Sequence, residues 1–174
     1  MGVISQTPPS LVCLLRGAMD LYDQWNENRK KIPAGEYLVK CVAGRRSEFW
    51  LQGKKGYGTS ERFILMFEVI EGDFRGTILP MFLTTSENGK IPQGSYYYAF
   101  WSIANGNRKP LRGRLKEMPL SKFQNKVFRA QIVTVKPKWK TGEDEEKIEI
   151  EQPGHLHYSR VHLLCELMIG DPNA

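Results

Sequence analysis

Phe63-Ile64-Leu65-Met66-Phe67-Glu68-Val69-Ile70, then Glu71-Gly72-Asp73-Phe74-Arg75-Gly76, then Thr77 to Thr84, is the stretch whose reading decides the fold. Two apolar, β-branched and aromatic runs flank a short turn rich in glycine and acid, the composition of a strand, a turn and a returning strand. The strand before the turn spans Arg62 to Glu71. Pro80 has no N–H to give a ladder, so the strand after the turn belongs at a sheet edge or at a bulge.

Working outward, Glu36 to Val42 alternates polar and apolar residues after Lys31-Ile32-Pro33-Ala34-Gly35, which predicts a half-buried first strand. A connection rich in glycine and lysine (Gly53, Lys54, Lys55, Gly56, Gly58) joins it to the hairpin. Downstream, Ser95 is a candidate N-cap and Asn105-Gly106 a stop, bracketing Tyr96 to Ala104. The aromatics there also suit a strand, but Tyr97, Phe100, Trp101 and Ala104 stand at i, i+3, i+4 and i+7, which favours a helix. Val127 to Val135 reads as a further strand, and Tyr158 to Ile169 as a last strand or a short helix. At the other end, residues 1–9 read as a loose arm. Ser10 then precedes an amphipathic helical pattern from Leu11 to Trp25 whose apolar stripe must pack on the sheet or on a partner chain. The expected fold is therefore mainly β with minor α: a five-stranded, OB-like Greek-key barrel with an N-terminal helix and a helix between strands 3 and 4. The expected domains are an arm and helix over 1–31, a barrel over 32–170 and a tail over 171–174.

With 174 residues and 41% hydrophobic content the chain has enough apolar material for one core without disulfide or metal support. Cys13, Cys41 and Cys165 are scattered, with no CxxC pair, so neither a disulfide framework nor a zinc site is expected. No apolar run reaches the roughly 18 residues of a membrane span and no signal-peptide pattern opens the chain, so a cytoplasmic location is expected. The net charge of +6 is unevenly spread. Glu143, Asp144, Glu145, Glu146, Glu149 and Glu151 surround Lys147 in what reads as a solvated loop, which leaves about +11 on the rest of the chain. A surplus of that size attracts polyanions, although it also serves solubility.

Catalytic signatures are missing from the sequence: there is no GxxxxGK[ST] loop, GxSxG elbow, HExxH or GxGxxG. His155, His157 and His162 lie close together, but no carboxylate or thiol at a recognisable spacing completes a metal site, although Cys165 and Glu166 are near. The acids after Gly142 lack the spacing of a calcium loop. The chain reads as a non-enzyme without cofactor or metal. A metal nuclease would require His155, His157 and Glu166 to converge.

Three stretches mix cations with flat rings or concentrate cations. The first is Arg45, Arg46, Phe49, Trp50, Lys54, Lys55 and Tyr57; the second is Arg108, Lys109, Arg112 and Arg114, with no acid between Asn107 and Lys116; the third is Lys136, Lys138, Trp139 and Lys140. Single-strand binders use this composition, because cations track phosphates while rings stack on bases at about 1 to 3 kcal/mol each. Each ring also has an ordinary reading as core. Trp139 is the strongest candidate, since lysines surround it and Pro137 argues against a central strand. In an OB-like barrel the connections that carry the first and third stretches flank one face, so these two are expected to converge.

Ile32-Pro33-Ala34-Gly35-Glu36-Tyr37, Phe67-Glu68-Val69-Ile70-Glu71-Gly72-Asp73-Phe74-Arg75-Gly76 and Phe123-Gln124-Asn125-Lys126-Val127-Phe128-Arg129-Ala130, in that order, resemble the OB-fold single-stranded-DNA-binding proteins of phages, plasmids and other mobile elements. The resemblance covers about residues 32 to 168. It implies a barrel that coats single strands in replication or recombination; the N-terminal helix and the acidic run depart from it. The expected function is non-catalytic binding of single-stranded DNA with little sequence preference; no residue in the sequence tests for the 2′-hydroxyl that separates RNA from DNA. The alternative is an adaptor subunit of a mobile-element replication or transposition complex, docking a protein partner or a second copy through the Leu11 to Trp25 helix.

Overall fold

A computed structural model describes residues 21–46, 60–86, 89–141, 148–151, 154 and 157–168. The hairpin expected around Glu71 to Gly76 is present: β2 (Ser60–Val69) pairs antiparallel with β3 (Ile78–Ser86). β1 (Gly35–Arg46) pairs with β2 on one side and with β4 (Val127–Val135) on the other, and β7 (Tyr158–Leu167) adds to β4. The result is one five-stranded antiparallel sheet ordered β3-β2-β1-β4-β7, with Pro80 on an edge strand as its missing N–H requires. A separate two-stranded ribbon joins β5 (Lys138–Thr141) to β6 (Ile148–Glu151).

The run Phe63 to Phe67 does not alternate, because β2 is covered on both faces. Phe63, Leu65 and Phe67 join the main core with Leu79, Met81, Leu83, Phe128, Ile132 and Val161, while Ile64 and Met66 lie in a second cluster beneath Trp25. β1 serves both clusters through a bulge. Cys41 lies opposite Phe67 and Ala43 opposite Met66, so Val42 is the extra residue and the alternation of faces reverses there. Beyond the bulge, Gly44 faces Leu65 so closely that a Cβ would stand 2.7 Å from its Cδ2.

The end of the N-terminal helix is described as α1 (21–27). Its apolar stripe packs on the sheet: Trp25 is 5% exposed and meets Phe82 of β3 at 6.3 Å and Tyr158 of β7 at 5.2 Å between centroids. Beyond the helix, Ile32 and Ser159 are tied twice, the Ile32 N–H donating to the Ser159 hydroxyl at 2.9 Å and that hydroxyl donating to the Ile32 carbonyl at 3.1 Å.

α2 (Tyr96–Ala104) follows β3. Its N-cap is Ser95, whose hydroxyl accepts from the Tyr98 N–H, and its C-cap is Asn105, followed by Gly106 at φ 68°. Tyr97, Phe100, Trp101 and Ala104 are buried, as their spacing predicts. The Tyr97 hydroxyl donates to the Met118 carbonyl at 2.7 Å and the Trp101 indole to that of Pro119 at 3.2 Å, which anchors the chain after the basic loop. A 3-10 turn (Leu120–Lys122) then leads into β4. The two edge strands, β3 and β7, approach each other, and α2 touches both.

Two expectations change in detail. The first strand runs four residues past Val42, because the bulge lets its far half pair with β2. The acidic run is not wholly a loop: Ile148–Glu151 forms a strand, which the alternation of Ile148 and Ile150 with Glu149 and Glu151 accounts for.

Candidate nucleic-acid interface

Strand direction decides which cations can meet. β1 and β4 are antiparallel, so the connection leaving Arg46 and the one leaving Val135 depart from opposite ends of the sheet. The strands that lead into the first and third stretches therefore finish at opposite ends of the sheet. The second stretch lies at the end where the first begins. Ser60, which resumes the chain after 47–59, pairs with Ser86, and the segment just past Ser86 holds the basic loop. The Ile91 N–H donates to the Gly113 carbonyl at 2.7 Å, the Leu115 N–H to that of Gly89 at 2.8 Å, and Lys90 bridges to Arg114. Arg45, Arg46 and the loop carrying Arg108, Lys109, Arg112 and Arg114 thus belong to one end of the sheet.

This end is rich in cations. Between Glu87 and Glu117 the sequence has no acid and six cations: Lys90, Arg108, Lys109, Arg112, Arg114 and Lys116. All six are exposed. Lys126, close by in the fold, is committed elsewhere: its Nζ donates to the Ala104 carbonyl at 2.6 Å, and burial followed by the neighbouring Lys122 lowers its pKa.

A second group was not legible as a stretch because it comes from several elements. Tyr22 and Trp25 of α1, Phe82 of β3 and Tyr158 of β7 form a continuous ring cluster, with Tyr22 at 5.5 Å from Trp25. Three guanidinium groups stand over it. Arg62 lies 4.0 Å from the Phe82 centroid and Arg45 4.7 Å from that of Tyr22, and Arg29 lies 5.1 Å from Tyr158 and 5.4 Å from Trp25. Such contacts hold the planar cations on the sheet face while leaving their charge to act on an incoming anion. The only sequence signal was that Arg45 and Arg62 flank the connection between β1 and β2.

In the β5–β6 ribbon, Lys138 lies opposite Glu151, Trp139 opposite Ile150 and Lys140 opposite Glu149. Lys138 and Lys140 of the third stretch are thus each paired in register with an acid. Lys136, before the ribbon, is exposed. Phe49, Trp50, Lys54, Lys55 and Tyr57 lie outside the described residues, as does His155 of the candidate metal group. Among the described residues no three His, Cys, Asp or Glu side chains gather to hold a metal ion. No described helix is long and apolar enough to cross a membrane.

No family model, curated protein or solved structure matches the chain.

Proposed function

We propose that this protein binds single-stranded nucleic acid, without catalysis and with little sequence preference, through the end of the sheet that carries Arg45, Arg62 and the loop from Arg108 to Arg114. The carrying observation is the acid-free stretch between Glu87 and Glu117, fastened by backbone hydrogen bonds beside the start of β2. Cations fixed to a frame can follow a phosphate chain, and every base offers a face to stack. The sheet is read as an OB-like barrel. Three features support that: β1 pairs with both β2 and β4, a helix lies between β3 and β4, and the edge strands β3 and β7 approach each other. A part in replication or recombination of a phage or mobile element rests on the sequence resemblance alone. The adaptor reading loses ground because the end of its docking helix, Trp25 included, is covered by this chain's own sheet.

The test is a fluorescence-anisotropy titration of a labelled single-stranded oligonucleotide and a duplex of equal length over a range of salt. The single strand should bind preferentially. The slope of log K on log salt should shrink by about 0.7 for each phosphate that Arg108→Glu or Arg112→Glu leaves without its cation. Equal binding of both forms, or none at low salt, would refute the proposal.

A further inference from the structure

Among the described residues two large apolar side chains stand exposed, Tyr96 at 60% and Leu111 at 100%. Both come from the acid-free stretch between Glu87 and Glu117. A lone exposed leucine is ordinary on a protein surface. Leu111 differs because its loop cannot turn it inward. The loop is held at both ends, with the Asn105 side-chain amide donating to the Arg108 carbonyl at 3.1 Å and the Gly113 carbonyl accepting from Ile91. Gly113 fits so tightly that a Cβ would stand 2.3 Å from the Ile91 oxygen, so the loop is seated in one position. Arg108, Lys109, Arg112 and Arg114 surround Leu111 in the chain and are themselves exposed.

Tyr96 is also set in place. Its ring stacks on Phe100 at 5.6 Å and 20°, Phe100 is itself buried at 4% exposure, and the His162 ring lies tilted beside it at 6.2 Å. A ring held by two neighbours and still largely exposed is a platform for a further ring.

We infer that Tyr96 and Leu111 are the two apolar contacts for bases of the bound strand: Tyr96 stacks on one base, and Leu111 inserts at an unstacked step while the surrounding cations hold the phosphates. The inference rests on the nucleic-acid reading and deepens it. Charge complementarity selects the occupant, since an apolar tip among four cations suits a ligand that pairs anions with flat apolar faces.

The experiment uses the full chain and single-stranded oligonucleotides carrying 2-aminopurine, which brightens when its neighbours unstack, at successive positions. Binding should raise the fluorescence at one position or more. Leu111→Ala should abolish that rise and weaken binding about tenfold, with Leu111→Met retaining both. Tyr96→Ala should weaken binding about tenfold and Tyr96→Phe hardly at all. Neither should change the salt slope, because every cation remains. Wild-type affinity and signal in Leu111→Ala and Tyr96→Ala would overturn the inference while leaving the cationic site intact. Failure of the wild-type chain to bind any oligonucleotide would remove the nucleic-acid reading too. Binding to vesicles of anionic phospholipid, abolished by Leu111→Ala, would then assign the tip to a membrane surface instead.

Discussion

The guanidinium of Arg62 stands 4.0 Å from the centroid of Phe82, its diagonal neighbour on β3, two residues along from its direct partner Thr84. Both residues lie on the face of β2 and β3 that also carries Ile64 beneath Trp25. The contact fixes a cation at the rim of the ring cluster.

Arg62→Ala should therefore lower single-strand affinity with little loss of stability, about 0.5 to 1 kcal/mol in a urea melt. Arg62→Lys keeps the charge but not the plane and should recover only part of the affinity. An affinity unchanged in Arg62→Ala would remove this face from the site.

Gly113→Ala tests whether the loop's seat matters. The added methyl must displace the Ile91 carbonyl or lift the loop, at a cost of about 1 to 3 kcal/mol. The sheet does not depend on this contact, so far-ultraviolet circular dichroism should remain native while oligonucleotide affinity falls. Native affinity would show that the loop binds without its fixed position.

Alkaline pH should weaken the fold through Cys41. Burial raises the pKa of its thiol from 9.0 to about 12, and a smaller lowering by the Ala43 backbone opposes that only in part. The folded chain keeps this proton where the unfolded chain releases it, so stability is full below about pH 9 and declines as pH rises toward 12. Burial moves the Tyr97 hydroxyl in the same direction. Urea midpoints at pH 8 and pH 10.5 should differ less in Cys41→Ala than in wild type. In native protein a thiol reagent should modify exposed Cys165 and leave Cys41 unreacted.

Glu149→Gln with Glu151→Gln should tighten single-strand binding at low salt, since these acids lie opposite Lys140 and Lys138 in the ribbon register. The gain should disappear near 0.5 M salt, where screening covers such distances. Unchanged affinity at low salt would place the ribbon outside the site.

Much of the scaffold was legible because local chemistry and tertiary structure agree. Ser95, the Tyr97-to-Ala104 spacing and Gly106 specify α2, and the alternation of Val127 to Val135 marks β4 to its ends. The extent of β1 was not legible, because the bulge at Val42 shifts the apolar period in mid-strand. Nor was the partner of β5: Lys138 to Lys140 reads as cationic until Glu149 and Glu151 are placed across from it. Arg62 escaped notice as a candidate because its ring partner, Phe82, is brought near only by strand pairing.

The double tie between Ile32 and Ser159 spans 127 residues of chain. During synthesis the first strand and the hairpin leave the ribosome long before β7 exists, and for that interval the seat of Ile32 lacks its hydroxyl partner. The sheet edge at β4 also waits, unpaired on one side, for the same strand. Contacts this remote slow folding, and an open edge invites pairing with other chains. Completion of the last strand is thus the step that commits the nascent domain, and ribosome-stalled chains ending before Tyr158 should stay sensitive to protease while those carrying β7 clear of the exit tunnel become resistant.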